Sequence, residues 1–149
     1  DEIRGGRGHD DLTGGAGEDT IYGGRGHDEI FGGADDDLLI GGYGNDELTG
    51  GAGSDIFQFG GAGAATADTV LDFNVDDDLV ALRSEGFGQT GDVTVTLGAA
   101  ASGTGAQFVY NSANGELRFD ANGSNGGQSS LVATFTPGLA LEEDNFTFV

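Results

Sequence analysis

Aspartate recurs every nine residues through the first third of the chain: Asp10, Asp19, Asp28, Asp37, Asp46 and Asp55, with Asp1 one further step ahead. Two glycines stand five and four residues before each full-repeat aspartate. A third stands two residues before it, except that Asp35 replaces it ahead of Asp37. Glycine permits φ > 0 and a tight turn, and such a turn leaves backbone carbonyls unpaired beside the carboxylate. Hard oxygen donors grouped in this way suit Ca²⁺. The candidate metal residues are therefore these aspartates, Asp1 included, with the turn glycines Gly5, Gly8, Gly14, Gly17, Gly23, Gly26, Gly32, Gly41, Gly44, Gly50 and Gly53. Other chemistry finds little support. Cysteine is absent, which removes thiol catalysis, Cys zinc sites and disulfides. The two histidines, His9 and His27, occupy the same repeat position, so repetition explains them. No H-E-x-x-H, G-x-S-x-G or phosphate loop occurs, and no dyad stands out among the 26 carboxylates. The chain is expected to be non-catalytic.

Charge and composition agree. Across 149 residues, 26 Asp and Glu face five arginines and no lysine, for a formal net charge of −21. Nucleic acid is a poor partner for such a surface. No apolar run approaches the ~18 residues of a membrane span. There is no signal-peptide core, and the first residue is not Met, which suggests a piece of a longer protein. Acidity alone is compatible with disorder, but 31 glycines at regular spacing indicate an ordered repeat that waits for a cation.

Six nonapeptides run from Gly5 to Gln58. Numbering each from its first glycine, position 6 is Asp and position 8 is always apolar: Leu12, Ile21, Ile30, Leu39, Leu48 and Phe57, preceded by Ile3 in a partial unit. The last three positions are expected to form a very short strand with one inward side chain. One repeat cannot bury that side chain alone, whereas stacked repeats make a continuous apolar spine. Asp tolerates left-handed geometry better than most residues, so the turn at Asp35 should survive.

The pattern G-G-x-G-x-D-x-U-x, with U apolar, resembles the RTX repeat, the calcium-binding parallel β-roll of proteins exported by type I secretion. That resemblance implies two repeats per coil, equivalent turns stacked at every second repeat, and calcium held between turns by position-6 aspartates and carbonyls. The implied pairs are Asp10 with Asp28, Asp28 with Asp46, Asp19 with Asp37, and Asp37 with Asp55: four interior ions, with more at the ends through Asp1, Asp68 or Asp72. An independent sign of the double repeat is alternation at position 3, which reads Arg7, Ala16, Arg25, Ala34, Tyr43, Ala52. Odd repeats would align Arg7, Arg25 and Tyr43 in a row beside His9, His27 and Asn45. This row is either solvated decoration or a contact for an anionic or sugar ligand or another domain.

The expected fold is all-β: a calcium-loaded parallel roll over residues 1–59, then a mainly antiparallel cap over 60–149. Residues 60–67 read as a loop. Asp68-Thr-Val-Leu-Asp72-Phe and Asn74-Val-Asp-Asp-Asp78-Leu-Val-Ala-Leu82 resemble segments that follow RTX repeats in serralysin-like proteins, and the resemblance implies that Asp68 or Asp72 completes a last calcium site while the strand covers the open edge; a strand with acidic turns is the alternative. Val93–Leu97 alternates as a strand. Gln107–Tyr110 and Glu116–Phe119 flank Asn114-Gly115, a hairpin signal. Asp120, Asn122 and Ser124 lack a terminal acidic ligand and read as a turn rather than a calcium loop. Acidic residues followed by Phe146-Thr-Phe-Val149 resemble a type I export signal over 139–149; a last strand is the alternative. The resemblance implies an extracellular module of a bacterial protein that meets the secretion machinery and folds when it meets calcium. Two other classes remain, an alginate-like carbohydrate-binding module and a calcium-dependent assembly or adhesion module.

Overall fold

The structure is a computed structural model, and it describes residues 1–60, 67–83, 87, 94–98, 105–121 and 129–149. Among the described residues, fourteen strands and one short 3-10 helix make up the regular structure, so the fold is all-β. Seven strands come from the repeats: β1 (Glu2–Arg7), β2 (Asp11–Ala16), β3 (Thr20–Arg25), β4 (Glu29–Ala34), β5 (Leu38–Tyr43), β6 (Glu47–Ala52) and β7 (Ile56–Phe59). The odd ones stack in parallel in one sheet and the even ones in a second. Each residue pairs with its equivalent in the next repeat but one, as in Ile3↔Ile21 and Leu12↔Ile30. Two repeats therefore make one coil.

The strands are longer than expected. Six residues are extended, not three, and the paired glycines lie inside the strand rather than in the turn. With no side chain to displace, the backbones pack closely enough for pairing to resume at the second glycine: a Cβ on Gly24 would collide with the Gly6 carbonyl. The turn shrinks to positions 4–6. Asp35 adopts φ 76° there, so it reproduces the left-handed glycine it replaces.

Ile21, Ile30, Leu39, Leu48 and Phe57 form the buried spine between the sheets. Ile3 and Leu12 are only partly buried, at the first coil. Burying each such side chain contributes about 1.5–3 kcal/mol relative to leaving it exposed.

The spine continues into the remaining strands: β8 (Asp68–Val70), β9 (Leu79–Leu82), β10 (Thr94–Leu97), β11 (Gln107–Asn111), β12 (Glu116–Asp120), β13 (Ser129–Thr134) and β14 (Phe146–Phe148). Val70 pairs with Leu48 on β6, and Val80 with Phe57 on β7. Sheet order is β1-β3-β5-β7-β9-β14 in one layer and β10-β11-β12-β13-β8-β6-β4-β2 in the other. The expected antiparallel character holds only for β11–β12–β13. Elsewhere β8, β9, β13 and β14 pair in parallel, as do β10 and β11. The reason is geometric: β8 and β9 extend sheets whose strands already run one way, and both open edges are thereby paired. The Asn114-Gly115 hairpin is present, with Gly115 at φ 75°. The last residues form β14 against β9. Most of the 60–67 loop, the first residue of the Val93–Leu97 strand and most of the Asp120–Ser124 turn lie outside the described residues.

Candidate metal centre

The position-6 aspartates fall into two columns, one on each side of the roll. Within each, the backbone N–H of one aspartate donates to Oδ1 of the next. Asp10 donates to Asp28, Asp28 to Asp46 and Asp19 to Asp37, each at 2.9 Å, and Asp37 donates to Asp55 at 3.0 Å. The aspartate carbonyls are also engaged, for example with the N–H of Glu29 and Leu38 in the next coil. One set of oxygens is left over. Oδ2 of Asp10, Asp19, Asp28, Asp37 and Asp46 is buried with no hydrogen-bond partner.

The position-1 glycines explain where these oxygens point. Strand pairing skips the step Gly5–Gly23, and likewise Gly14–Gly32, Gly23–Gly41 and Gly32–Gly50. A Cβ on Gly5 would lie 2.7 Å from both Asp10 Oδ2 and the Gly23 carbonyl oxygen. On Gly14 it would lie 2.5 Å from Asp19 Oδ2 and the Gly32 oxygen, and on Gly23 2.6 Å from Asp28 Oδ2 and the Gly41 oxygen. Gly32 repeats the arrangement with Asp37 and Gly50. Four cradles result, each bringing an unpaired carboxylate oxygen and a glycine carbonyl to the same small space. Among the described residues, no three His, Asp or Glu side chains converge as a metal cage. Any ion here must therefore take much of its shell from backbone carbonyls. A buried anionic oxygen with no donor is costly, and a hard cation relieves it, so the residues fit Ca²⁺. At position 4, the N–H of Gly8, Gly17 and Gly26 bonds the position-3 carbonyl of the next coil.

At the ends the pattern changes. The Asp1 nitrogen stands 2.8 Å from Asp19 Oδ1, continuing that column. Asp68 joins the other column: its Oδ1 accepts from Asp46 N–H at 3.1 Å. Asp72 lies off both columns, and its two oxygens accept from Gly50 and Gly51 N–H, each at 2.9 Å. The residue that follows Asp55 is Asp78, which sequence reasoning missed. Its Oδ1 accepts from Asp55 N–H at 3.0 Å and its Oδ2 from Asn74 N–H at 2.8 Å. The signal was available: Asp78-Leu-Val80, like Asp68-Thr-Val70, keeps the Asp-x-apolar order of positions 6 to 8. Neither β8 nor β9 is followed by paired glycines, so no glycine carbonyl faces Asp46 or Asp55 from the next coil.

Burial pushes the Asp55 carboxyl up to about 6 and the Asp68 carboxyl up to about 8. It also raises Asp37, Asp46 and Asp78. Backbone N–H donors oppose the rise and neighbouring carboxylates add to it.

The odd-repeat row forms as expected. Arg7 pairs in register with Arg25, and Arg25 with Tyr43. The Arg25 guanidinium lies 5.4 Å from the Tyr43 ring centre, and the His9 and His27 rings stack at 5.2 Å.

A family model described as the RTX calcium-binding nonapeptide repeat (4 copies) matches at residues 1–30, 22–57 and 31–66. No curated protein matches the chain. Among solved structures, the AlgE6R3 subunit of the Azotobacter vinelandii mannuronan C5-epimerase is 27% identical, with TM-score 0.65 over 96% of this chain and 80% of that one. The AlgE6R2 subunit of the same epimerase is also 27% identical, with TM-score 0.59 over 99% and 92%. Residues 1–66 belong to the RTX calcium-binding nonapeptide repeats, and the chain they open is a calcium-binding β-roll module.

Proposed function

We propose that this module couples calcium binding to folding outside the cell, after export of a larger protein by a type I system. The observation that carries the reading is the series of buried, unpartnered Oδ2 atoms facing glycine carbonyls. Without a cation these oxygens oppose the fold, and 26 acidic residues repel one another. Each Ca²⁺ adds two positive charges where that repulsion is greatest, and its binding free energy becomes folding free energy. Inside a cell calcium is scarce, so the chain stays extended and exportable. Outside, affinities of ~10⁻⁴–10⁻³ M suffice. Four ions sit in the four cradles, bound by Asp10, Asp19, Asp28 and Asp37 with Asp28, Asp37, Asp46 and Asp55 one coil on. Asp46 with Asp68, and Asp1 with Asp19, are the end positions. Residues 1–59 form the calcium-bearing unit and 60–149 the cap that closes it, with 139–149 serving first as export signal, after which its Phe146–Phe148 stretch pairs as β14. The module itself is non-catalytic, and the parent's activity lies elsewhere.

A calcium titration followed by circular dichroism tests this. Excess chelator should abolish the roll's β signal, calcium should restore it, and magnesium, which demands a smaller octahedral shell, should not. A roll that keeps its β signal in chelator overturns the reading.

A second reading is favoured by the likeness to subunits of a mannuronan epimerase. On it, the Arg7–Arg25–Tyr43 row binds an anionic polysaccharide. Retarded migration in alginate-containing gels, lost in Arg25→Ala, is its expected outcome; unchanged migration excludes it.

A further inference from the structure

Alternate repeats give the roll two outer faces of opposite character. On the even strands, position 7 is acidic in every repeat: Asp11, Glu29 and Glu47 are exposed and stand in register on β2, β4 and β6. Beside them Phe31 is 44% exposed and Leu71 50%. Together with Thr13 and Thr49 these residues line a surface groove of about 270 Å³. On the odd strands, position 7 carries one acid, Glu2, and then Thr20, Leu38 and Ile56. Three of the five arginines lie on β1 and β3 instead: Arg4, Arg7 and Arg25. Arg4 pairs with Glu2. Among the described residues neither Arg7 nor Arg25 forms an ion pair, and Tyr43, which continues their row, is 67% exposed.

We propose that the calcium-loaded chain associates with a second copy of itself, the acidic groove of one copy seated on the arginine row of the next. Charge complementarity selects this occupant. The acid row and the arginine row are built on the same coil, so both repeat at the strand spacing of ~4.8 Å and match step for step. Phe31 offers a ring face to a guanidinium that the flanking carboxylates also attract. Leu71 and Tyr43 supply the apolar contact at the ends of the rows. The two faces differ, so the contact is heterologous: a pair keeps one free face of each kind, the row on one copy and the groove on the other, and the copies add in line rather than closing as a pair. The net charge of −21 opposes association, and ions bound along the turns reduce that opposition. Association of this kind requires a folded roll, whatever the role of export.

The test is light scattering with size-exclusion chromatography on the whole chain in saturating calcium, at low salt and at ~0.5 M NaCl, where charge pairs are screened. The mass should rise above one copy with concentration at low salt and fall back at high salt. E29R/E47R makes both faces basic and R7E/R25E makes both acidic, so each variant should stay monomeric. An equimolar mixture restores opposite faces at every contact and should associate again. All four substituted positions are exposed and outside the cradles, and circular dichroism in calcium checks that each variant folds. Wild-type chain that stays a single copy up to ~1 mM, the edge of weak association, overturns the proposal. So does association that ignores both variants. Alginate binding to the arginine row with no mass increase in its absence would assign that row to a glycan and also overturn it.

Discussion

The backbone N–H of Asp10 donates to Oδ1 of Asp28, one coil further on, at 2.9 Å. The same Asp28 turns its Oδ2 toward the carbonyl of Gly41 in the following coil. One carboxylate thus adjoins two successive intervals. Asp55 differs, since Asp78 and not a glycine turn follows it. Asp28→Ala should therefore weaken calcium-driven folding more than Asp55→Ala. Calcium titrations monitored by circular dichroism would rank the two, and a silent Asp28→Ala would remove position 6 from the calcium shell.

Isothermal titration or native mass spectrometry should count at least four bound Ca²⁺. Four cradles have both an unpaired Oδ2 and an opposing glycine carbonyl. A count below four would contradict the assignment.

Gly23→Ala should shift the calcium midpoint upward by about tenfold, equivalent to ~1.4 kcal/mol. Its Cβ would stand 2.6 Å from both Asp28 Oδ2 and the Gly41 oxygen, in the space shared by the two donors. Arg25→Ala, on an exposed side chain, is the control and should leave the midpoint unchanged. Equal effects would mean that the glycine does not line the site.

Acidification should stabilise the calcium-free fold and oppose calcium. In the fold, Asp55 and Asp68 hold protons up to about 6 and about 8, whereas the unfolded chain releases them near the ordinary value of 3.8. Between those limits the folded state binds more protons, so its stability falls as pH rises from about 4 to about 8. Calcium must expel the same protons. Titrations in buffers of different ionisation enthalpy should show proton release below pH 8, and calcium affinity that rises with pH. Affinity independent of pH between 5 and 8 would contradict this.

Two substitutions separate packing from metal binding. Ile30→Ala should cost roughly 2–5 kcal/mol, because Ile30 is buried in the spine. Asp78→Ala should strand the buried N–H of Asp55, costing about 1–3 kcal/mol, while the N–H of exposed Asn74 turns to water. Its ion count should not change. Denaturant unfolding in calcium, beside the ion count, checks both.

The repeat spacing made the coil legible. A nonapeptide period with odd–even alternation at position 3 implies a double-repeat turn, and the aspartate columns and the spine follow from it. What was not legible depended on contacts between distant segments. Strands run through the glycine pairs because backbone meets backbone one coil away, which local strand preference does not anticipate. Asp78 enters a column only because β9 lies beside β7. The parallel pairing of β13 and β14 likewise follows from the direction of the neighbours they meet, not from their own residues.

The division of odd and even strands between two sheets has a consequence for how such a chain can change length in evolution. Loss or gain of one nonapeptide would move every later strand to the opposite sheet. The arginine row would be interrupted by alanines, and β8 and β9 would each arrive at the wrong edge. Loss or gain of two adjacent nonapeptides together leaves all of these in place. The heritable unit is therefore the pair of repeats, and duplications that persist should come in even numbers.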